Sequence, residues 1–247
     1  MTAATWIVLG GSSALARAFA KCAAREGNGI VLAGRDLDDL RRSAQDIALR
    51  HGVETAVVAL DATRYETHDD VVARCLAGRP GEIGVFLAFG LMPDQAEMDK
   101  DPDLARAVVE TNYVGALSLL SRFARSLEER RCGRIVVVGS VAGDRGRPKN
   151  YVYGSAKAGL HAYAQGLRAR LYRSGVAVTT VKPGFLDTAM TFGLPGMALA
   201  APPADAAAAI WRAVCRRREV VYVPWFWRWI MAIIRLIPER IFKRLSM

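Results

Sequence analysis

The sequence predicts one α/β domain built on a doubly wound, seven-stranded parallel sheet, followed by an amphipathic helical tail. Short apolar runs recur near 5–10, 29–34, 54–60, 83–89, 133–139, 176–182 and 219–223. Runs that are apolar throughout mark strands covered on both faces. Helical stretches separate them, and strict alternation of strand and helix gives a parallel sheet with helices on either side. The 247 residues suffice for one such sheet with a large core. No internal repeat or low-complexity linker interrupts them, so the expected division is a main domain over 1–224 and a tail over 225–247.

The first strand, 5–9, runs into Gly10-Gly11-Ser12-Ser13-Ala14-Leu15-Ala16 and then a helical pattern over 17–26. Glycine permits a tight turn, and a helix N-terminus offers unpaired N–H groups with partial positive charge, so a nucleotide phosphate suits this turn. An ordinary strand-to-helix turn would read the same way. The second strand ends at Gly34 and is followed by Arg35. At that point an acidic residue binds a ribose 2′-hydroxyl and an arginine accepts a 2′-phosphate. A guanidinium pairs bidentately with phosphate and stacks on adenine, so Arg35 favours NADP(H) over NAD(H). Asp36 is read as the N-cap of a helix over 37–50, with a competing ribose contact as the alternative. The third strand ends at Asp61, another residue readable as a cap. The fourth strand, 83–89, ends at Ala88-Phe89-Gly90, where Phe89 is either a sheet residue or the wall of a pocket and Gly90 allows close approach.

The fifth strand, 134–139, delivers Ser140 to its carboxyl end, which is where ligands bind in open α/β sheets. Thirteen positions later comes Tyr153, and then Lys157. On a helix beginning near Tyr151, positions i and i+4 share one face, which sets the ammonium beside the phenol. A free tyrosine titrates near a pKa of about 10, and a neighbouring cation favours the phenolate, so Tyr153 is expected to exchange a proton near neutral pH. Ser140 would hold the substrate oxygen. A Tyr and a Lys meeting by chance on a surface helix is the bland alternative, and the strand ending at Ser140 argues against it. These three side chains point to carbonyl–alcohol redox chemistry. The sixth strand, 176–182, closes with Pro183-Gly184 and Thr188, and the Gly-, Pro- and Met-containing segment 190–197 is expected to form a substrate lid with an apolar wall.

From residue 6 to about 224 the chain resembles the short-chain dehydrogenase/reductases, whose fold is Rossmann-like. The resemblance implies Tyr153 as catalytic acid/base, Lys157 as the group that lowers its pKa and contacts the nicotinamide ribose, and Ser140 as the orienting hydroxyl. It also implies that Asn112, in Glu110-Thr111-Asn112-Tyr113-Val114-Gly115, kinks a helix and carries a water-linked proton relay to the lysine. The family turn GxxxGxG reads Gly10, Ala14, Ala16 here. Two glycines are replaced, which implies a slightly wider phosphate cradle with the Ser12 and Ser13 hydroxyls compensating. Leu15 belongs to the same cofactor-binding set. Asp61 matches the aspartate that meets the adenine amino group, with Ala62 beside it. Gly90 survives from an Asn-Ala-Gly loop, and Pro183, Gly184 and Thr188 match a turn at the nicotinamide amide. Ser13 stands where NADP-preferring relatives often carry a second basic residue, so the NADP(H) expectation rests on Arg35.

With 34 Lys and Arg against 24 Asp and Glu, the formal net charge is +10, which attracts polyanions. The basic residues are dispersed, with clusters at Arg216-Arg217-Arg218 and in the tail, and no nucleic-acid module with stacking aromatics is visible, so no nucleic-acid partner is expected. Four scattered cysteines, three separated histidines and a start without a leader predict a cytoplasmic protein and no metal site. The longest apolar run of the tail, 229–234, is far shorter than the roughly 20 residues that span a bilayer. Its Trp, Phe and basic residues suit a helix lying in the headgroups of an anionic inner leaflet, and equally a helix packed on another subunit of a homo-oligomer or over the substrate pocket. The tail and residues 94–114 also resemble a bacterial subgroup that includes the reductase of decaprenyl-phosphoryl 2-keto-pentose. The expected activity is therefore NADPH-dependent reduction of a carbonyl, with a lipid-linked keto-sugar as substrate. The alternatives are a 3-oxoacyl or small-ketone reductase with an oligomerising tail, and a non-catalytic NADP-binding scaffold.

Overall fold

The computed structural model describes residues 4–188 and 200–245; the expected lid, 190–197, lies outside them. Seven strands are found among the described residues: β1 (Thr5–Leu9), β2 (Gly29–Gly34), β3 (Thr55–Ala59), β4 (Ile83–Leu87), β5 (Arg134–Val138), β6 (Ala177–Pro183) and β7 (Val220–Val223). All pair in parallel, in the order β3-β2-β1-β4-β5-β6-β7. The winding direction reverses between β1 and β4, and a crevice opens at such a switch point beyond the carboxyl ends of the strands.

One face of the sheet is covered by α1 (Ala14–Arg25), α2 (Leu37–His51) and α8 (Pro203–Cys215). The other is covered by α3 (His68–Leu76), α6 (Ala116–Arg130) and α7 (Tyr151–Leu171). Short helices α4 (Gln95–Met98) and α5 (Pro102–Val109) precede a π turn, Glu110–Gly115, that leads into α6. Strand β4 stops at Leu87, so Phe89 is past the sheet and packs half-buried on the core under α3, α6 and α7.

An aromatic block fastens α1 and α8 to the sheet. Phe19 stacks on Phe86 with ring centroids 3.9 Å apart, and Trp6 meets Phe19 and Trp211 edge-on at 5.0 and 5.4 Å. Such contacts add to simple apolar burial. Gly84 makes room for the indole, since a Cβ there would lie 2.4 Å from the Trp6 ring. Both expected helix starts carry side-chain caps: Ser13 Oγ accepts from the Ala16 N–H at 3.1 Å, and Asp36 Oδ1 accepts from the Asp39 N–H at 3.0 Å.

The tail forms α9 (Trp227–Leu236) and α10 (Glu239–Phe242). Trp227 and Met231 are buried against Val141, with Phe185 and Tyr222 beside them, so one face of α9 is seated on its own chain. No helix among the described residues is long and apolar enough to cross a membrane.

Candidate active site

Ser140 follows β5 directly. Its Oγ accepts from the Ala142 N–H at 3.1 Å and so caps a 3-10 turn, Val141–Asp144. Tyr153 and Lys157 lie on the first two turns of α7 and are buried, at 6% and 3% exposure. Gly154 lets this helix press on the turn, because a Cβ there would fall 2.9 Å from the Ala142 carbonyl oxygen. Lys157 Nζ stands 5.7 Å from the Tyr153 ring centroid and donates to the Val138 carbonyl at 3.0 Å.

Burial pushes the Tyr153 phenol up to about 12, with a hydrogen bond from Ser140 opposing it, and pushes Lys157 down to about 8. This reverses the expected sign for the tyrosine. In a dry site the desolvation of the charged form dominates both shifts. At neutral pH Tyr153 therefore holds its proton and is set to donate it.

Asn112 sits in the π turn, 1% exposed, so the expected kink takes the form of a widened helical turn. Its Nδ2 donates to the Leu91 carbonyl and its Oδ1 accepts from the Leu91 N–H, both at 2.7 Å. This clamps the loop after β4. A Cβ on Gly90 would fall 3.2 Å from Asn112 Oδ1 and 3.6 Å from Lys157 Nζ, so these three residues converge.

Toward the other side of the switch point lies the turn after β1. Gly10 adopts φ +86°, and a Cβ there would strike Phe89 N at 2.7 Å, so two requirements select glycine. The Ser13 oxygen accepts at the helix cap, and its proton stays available to a ligand. Leu15 and Ala16 are buried on the sheet, whereas Ala14 and Ser12 face outward. Replacing the third family glycine by Ala16 thus fills core space, and the Ala14 methyl points to solvent. The first N–H groups of α1 have no intrahelical acceptors.

Arg35 and Asp36 are exposed at the end of β2, and Arg35 has no hydrogen-bond or ion-pair partner among the described residues. Asp61 Oδ1 accepts from the Thr63 N–H and hydroxyl at 3.0 and 2.8 Å, closing a turn rather than capping a helix. The Thr63 amide holds this carboxyl below its usual range, with the Arg35 charge assisting. The Ala62 carbonyl abuts Gly115, where a Cβ would lie 2.2 Å away. Pro183 ends β6, the Gly184 N–H donates to the Val223 carbonyl at 2.9 Å, and Thr188 follows a bridge between Leu186 and Ala201. Gly10, Ser12, Ser13, Leu15, Arg35, Asp61, Ala62 and Gly90 are thus brought to the carboxyl ends of β1 to β4, and Ser140, Pro183 and Gly184 to those of β5 and β6. A glycine cradle, a helix N-terminus and an unpaired guanidinium in this order suit a phosphorylated dinucleotide.

Two features had no recognised signal in the sequence. His161, one of the three separated histidines, accepts from the Ser140 N–H through Nε2 at 3.3 Å. Burial drives it down to about 3, so it is neutral with its proton on Nδ1. Nδ1 faces buried Asp144 at 3.6 Å, which also takes Lys182 Nζ and the Tyr222 hydroxyl, the latter at 2.7 Å. The clue lies in two glycines: a Cβ on Gly139 would sit 2.1 Å from His161 Nε2, and one on Gly143 2.8 Å from Cε1. His161→Leu strands a buried amide, a loss of about 1–3 kcal/mol, and turnover is expected to fall about tenfold with dinucleotide affinity unchanged. His161→Gln, which restores an acceptor, should recover most of it; steady-state kinetics of both variants checks this. The second feature is Trp227, whose indole fills the space beside Gly184, 1.9 Å from where a Cβ would be. Its buried N–H has no partner among the described residues.

Comparison with known proteins agrees with this arrangement. The short chain dehydrogenase family pattern matches residues 4–195. An uncharacterized oxidoreductase of Mycobacterium tuberculosis is 37% identical over 244 residues, covering 98% of this chain and 97% of the relative. Another, from Streptomyces coelicolor, is 37% identical over 242 residues, covering 97% and 94%. Among solved structures, an actinorhodin polyketide ketoreductase with NADPH superposes with a TM-score of 0.80 at 20% identity, covering 90% of this chain and 95% of its own. A short-chain dehydrogenase from Sphingobium yanoikuyae in complex with NADPH gives 0.79 at 22% identity, covering 95% and 96%. The family match and the two extensive sequence relatives agree with the motifs at Ser140, Tyr153 and Lys157: this chain belongs to the short-chain dehydrogenase family.

Proposed function

We propose that the protein is an NADP(H)-dependent oxidoreductase that reduces a carbonyl to an alcohol. The observation that carries this reading is the buried, protonated Tyr153 beside Ser140 and Lys157, at the strand ends that also gather the glycine cradle and Arg35. Those strand ends would hold NADP(H), which when bound would supply a hydride for the carbonyl carbon. Ser140 holds the carbonyl oxygen by hydrogen bonding, and Tyr153 gives its proton to that oxygen as negative charge develops. Lys157, with Asn112 behind it, returns a proton to the phenolate. The reverse oxidation runs through the same groups. Ser12, Ser13, Leu15 and Gly10 line the place for the diphosphate, Asp61 and Ala62 that for the adenine, and Pro183, Gly184 and Thr188 that for the nicotinamide amide. The NADPH complexes of the two structural neighbours support the cofactor.

Arg35 gives the NADP(H) reading its test. A charge-assisted pair to a 2′-phosphate contributes about 1.5–3 kcal/mol, so Arg35→Ala is expected to weaken NADPH binding roughly 10- to 100-fold and NADH binding little. Fluorescence titration with both dinucleotides reads this, and equal losses would refute the assignment.

For the substrate we favour a lipid-linked keto-sugar, the class of the bacterial subgroup that the tail and residues 94–114 resemble. Tyr153 belongs to an apolar cluster with Met98, Val108 and Ala142, which suits a carbonyl carried on an apolar scaffold. Deuteride transfer from 4-deuterated NADPH to polyprenyl-phosphoryl keto-sugars, acyl thioesters and simple ketones tests reaction and substrate together. Label at the carbinol carbon of the keto-sugar is expected. Transfer only to a thioester or simple ketone would favour the alternative reductase reading, and dinucleotide binding without transfer to any carbonyl would favour a scaffold.

A further inference from the structure

The second face of α9 is apolar and uncovered. Trp225, Trp229, Ile233 and Leu236 recur at three- and four-residue spacing and are 72%, 61%, 66% and 82% exposed, while Trp227 and Met231 on the opposite side are buried. Ile241 of α10 continues the strip, at 55% exposure. Arg228 and Arg235 flank it on α9, and Arg240, Lys243 and Arg244 follow, all exposed. The tail carries a single acid, Glu239, and this is already paired to the body through Arg145 at 2.9 Å. The outward charge of the tail is therefore predominantly basic, five cations against the one paired carboxylate.

Arg145 also fixes the orientation of this face. It donates to the carbonyls of Ile234 and Ile237, both at 2.6 Å, and stacks 3.8 Å over the Phe242 ring. It stands next to Asp144, one turn from Ser140, so the tail is clamped to the same turn that presents the catalytic hydroxyl. The basic surface extends beyond the tail. A groove of about 390 Å³ that includes Trp225 in its walls is edged by Arg212, Arg216 and Arg218, with Asp205 as its one acid.

We propose that this face docks on an anionic lipid membrane, with the indoles and aliphatic side chains entering the headgroup boundary and the arginines and lysine meeting lipid phosphates. Tryptophan favours that boundary, and basic residues gain from a negative leaflet. A second copy of the chain complements it poorly, because a twofold pairing of identical faces sets basic rows against each other. Docking would hold the Ser140 turn at a fixed height above the lipid, as access to a carbonyl carried by a membrane amphiphile requires.

The test is flotation of the full chain with vesicles of phosphatidylcholine alone and of phosphatidylcholine mixed with phosphatidylglycerol, at low and high salt. Binding to the anionic vesicles, weakened by salt, is expected. Trp229→Glu combined with Ile233→Glu should lower the bound-to-free ratio at least tenfold, and Arg228→Gln and Arg235→Gln about fivefold each. These side chains are exposed, so melting temperature and NADPH affinity should hold. Truncation is avoided because it would strip Trp227 and Met231 from the Ser140 turn. Failure of the wild type to float, or flotation unchanged in the substituted chains, would overturn the membrane assignment. Loss of self-association in sedimentation velocity with flotation unchanged would assign the face to a second copy instead. Binding is read without turnover, so the surface stands or falls separately from the oxidoreductase activity.

Discussion

Tyr153→Phe is expected to lower carbonyl reduction by about 10²- to 10⁴-fold and to leave NADPH affinity unchanged. The substitution removes one hydroxyl and keeps the ring in its apolar cluster with Met98, Val108 and Ala142, so the fold has no reason to respond. Among the described residues the phenol is the acid proposed to meet the substrate oxygen: Ser140 carries a far weaker acid, Lys157 stands behind the ring with its Nζ on the Val138 carbonyl, and His161 is neutral behind the Ser140 turn. The pH dependence carries a second signature. With the phenol pushed up to about 12 and Lys157 down to about 8, Tyr153 stays protonated across the neutral range and the ammonium is lost above about 8. Reduction should therefore decline as pH rises through about 8. The same shift acts on stability. The folded state sheds the Lys157 proton before the unfolded chain does, so burial of this group costs stability below about 8 and none above its unfolded value of about 10.4. Stopped-flow reduction and equilibrium dinucleotide titration separate the kinetic effect from binding. Retained turnover in Tyr153→Phe would remove the tyrosine from the acid role.

Phe19→Ala should destabilise the protein by about 3–5 kcal/mol, a large part of the roughly 5–15 kcal/mol that a folded domain has in hand. Phe19 is fully buried, stacks on Phe86 and meets both Trp6 and Trp211 edge-on, so truncation opens a cavity at the point where α1, α8 and the sheet join. Rigid indole and phenyl neighbours on three sides cannot collapse into the space. The effect should reach the cofactor turn, because α1 carries that turn at its N-terminus: NADPH affinity is expected to fall along with the urea midpoint. A loss under about 1 kcal/mol would mean that the aromatic block does not hold the helix.

The sheet was legible because a strand buried on both faces must be apolar at consecutive positions, as in Ile30-Val31-Leu32-Ala33, and six crossovers of helical period leave a parallel sheet as the simplest solution. The placement of Ser140, Tyr153 and Lys157 was legible because helix period and strand end are local geometry. What escaped depends on contacts between distant segments. Phe89 continues an apolar run, yet the strand ends at Leu87 and the ring turns to the core. The sign of the Tyr153 shift depends on how completely α7, the Ser140 turn and α5 exclude water, which spacing does not report. His161 acquires its role only because Gly139 and Gly143 vacate the space its ring occupies. Trp227 belongs by sequence to a tail, yet it fills the space beside Gly184, just past the end of β6, and positions a helix whose other face was visible as basic and aromatic from the start.

If the phenol of Tyr153 and the glycine cradle at Gly10 serve one bound dinucleotide, a crystal structure of the NADPH complex will show both on it. The diphosphate is expected at the turn from Gly10 to Leu15, the 2′-phosphate on Arg35, and the nicotinamide facing the Tyr153 and Ser140 hydroxyls. A dinucleotide bound elsewhere, or a Tyr153 hydroxyl directed away from the nicotinamide, would contradict that shared role.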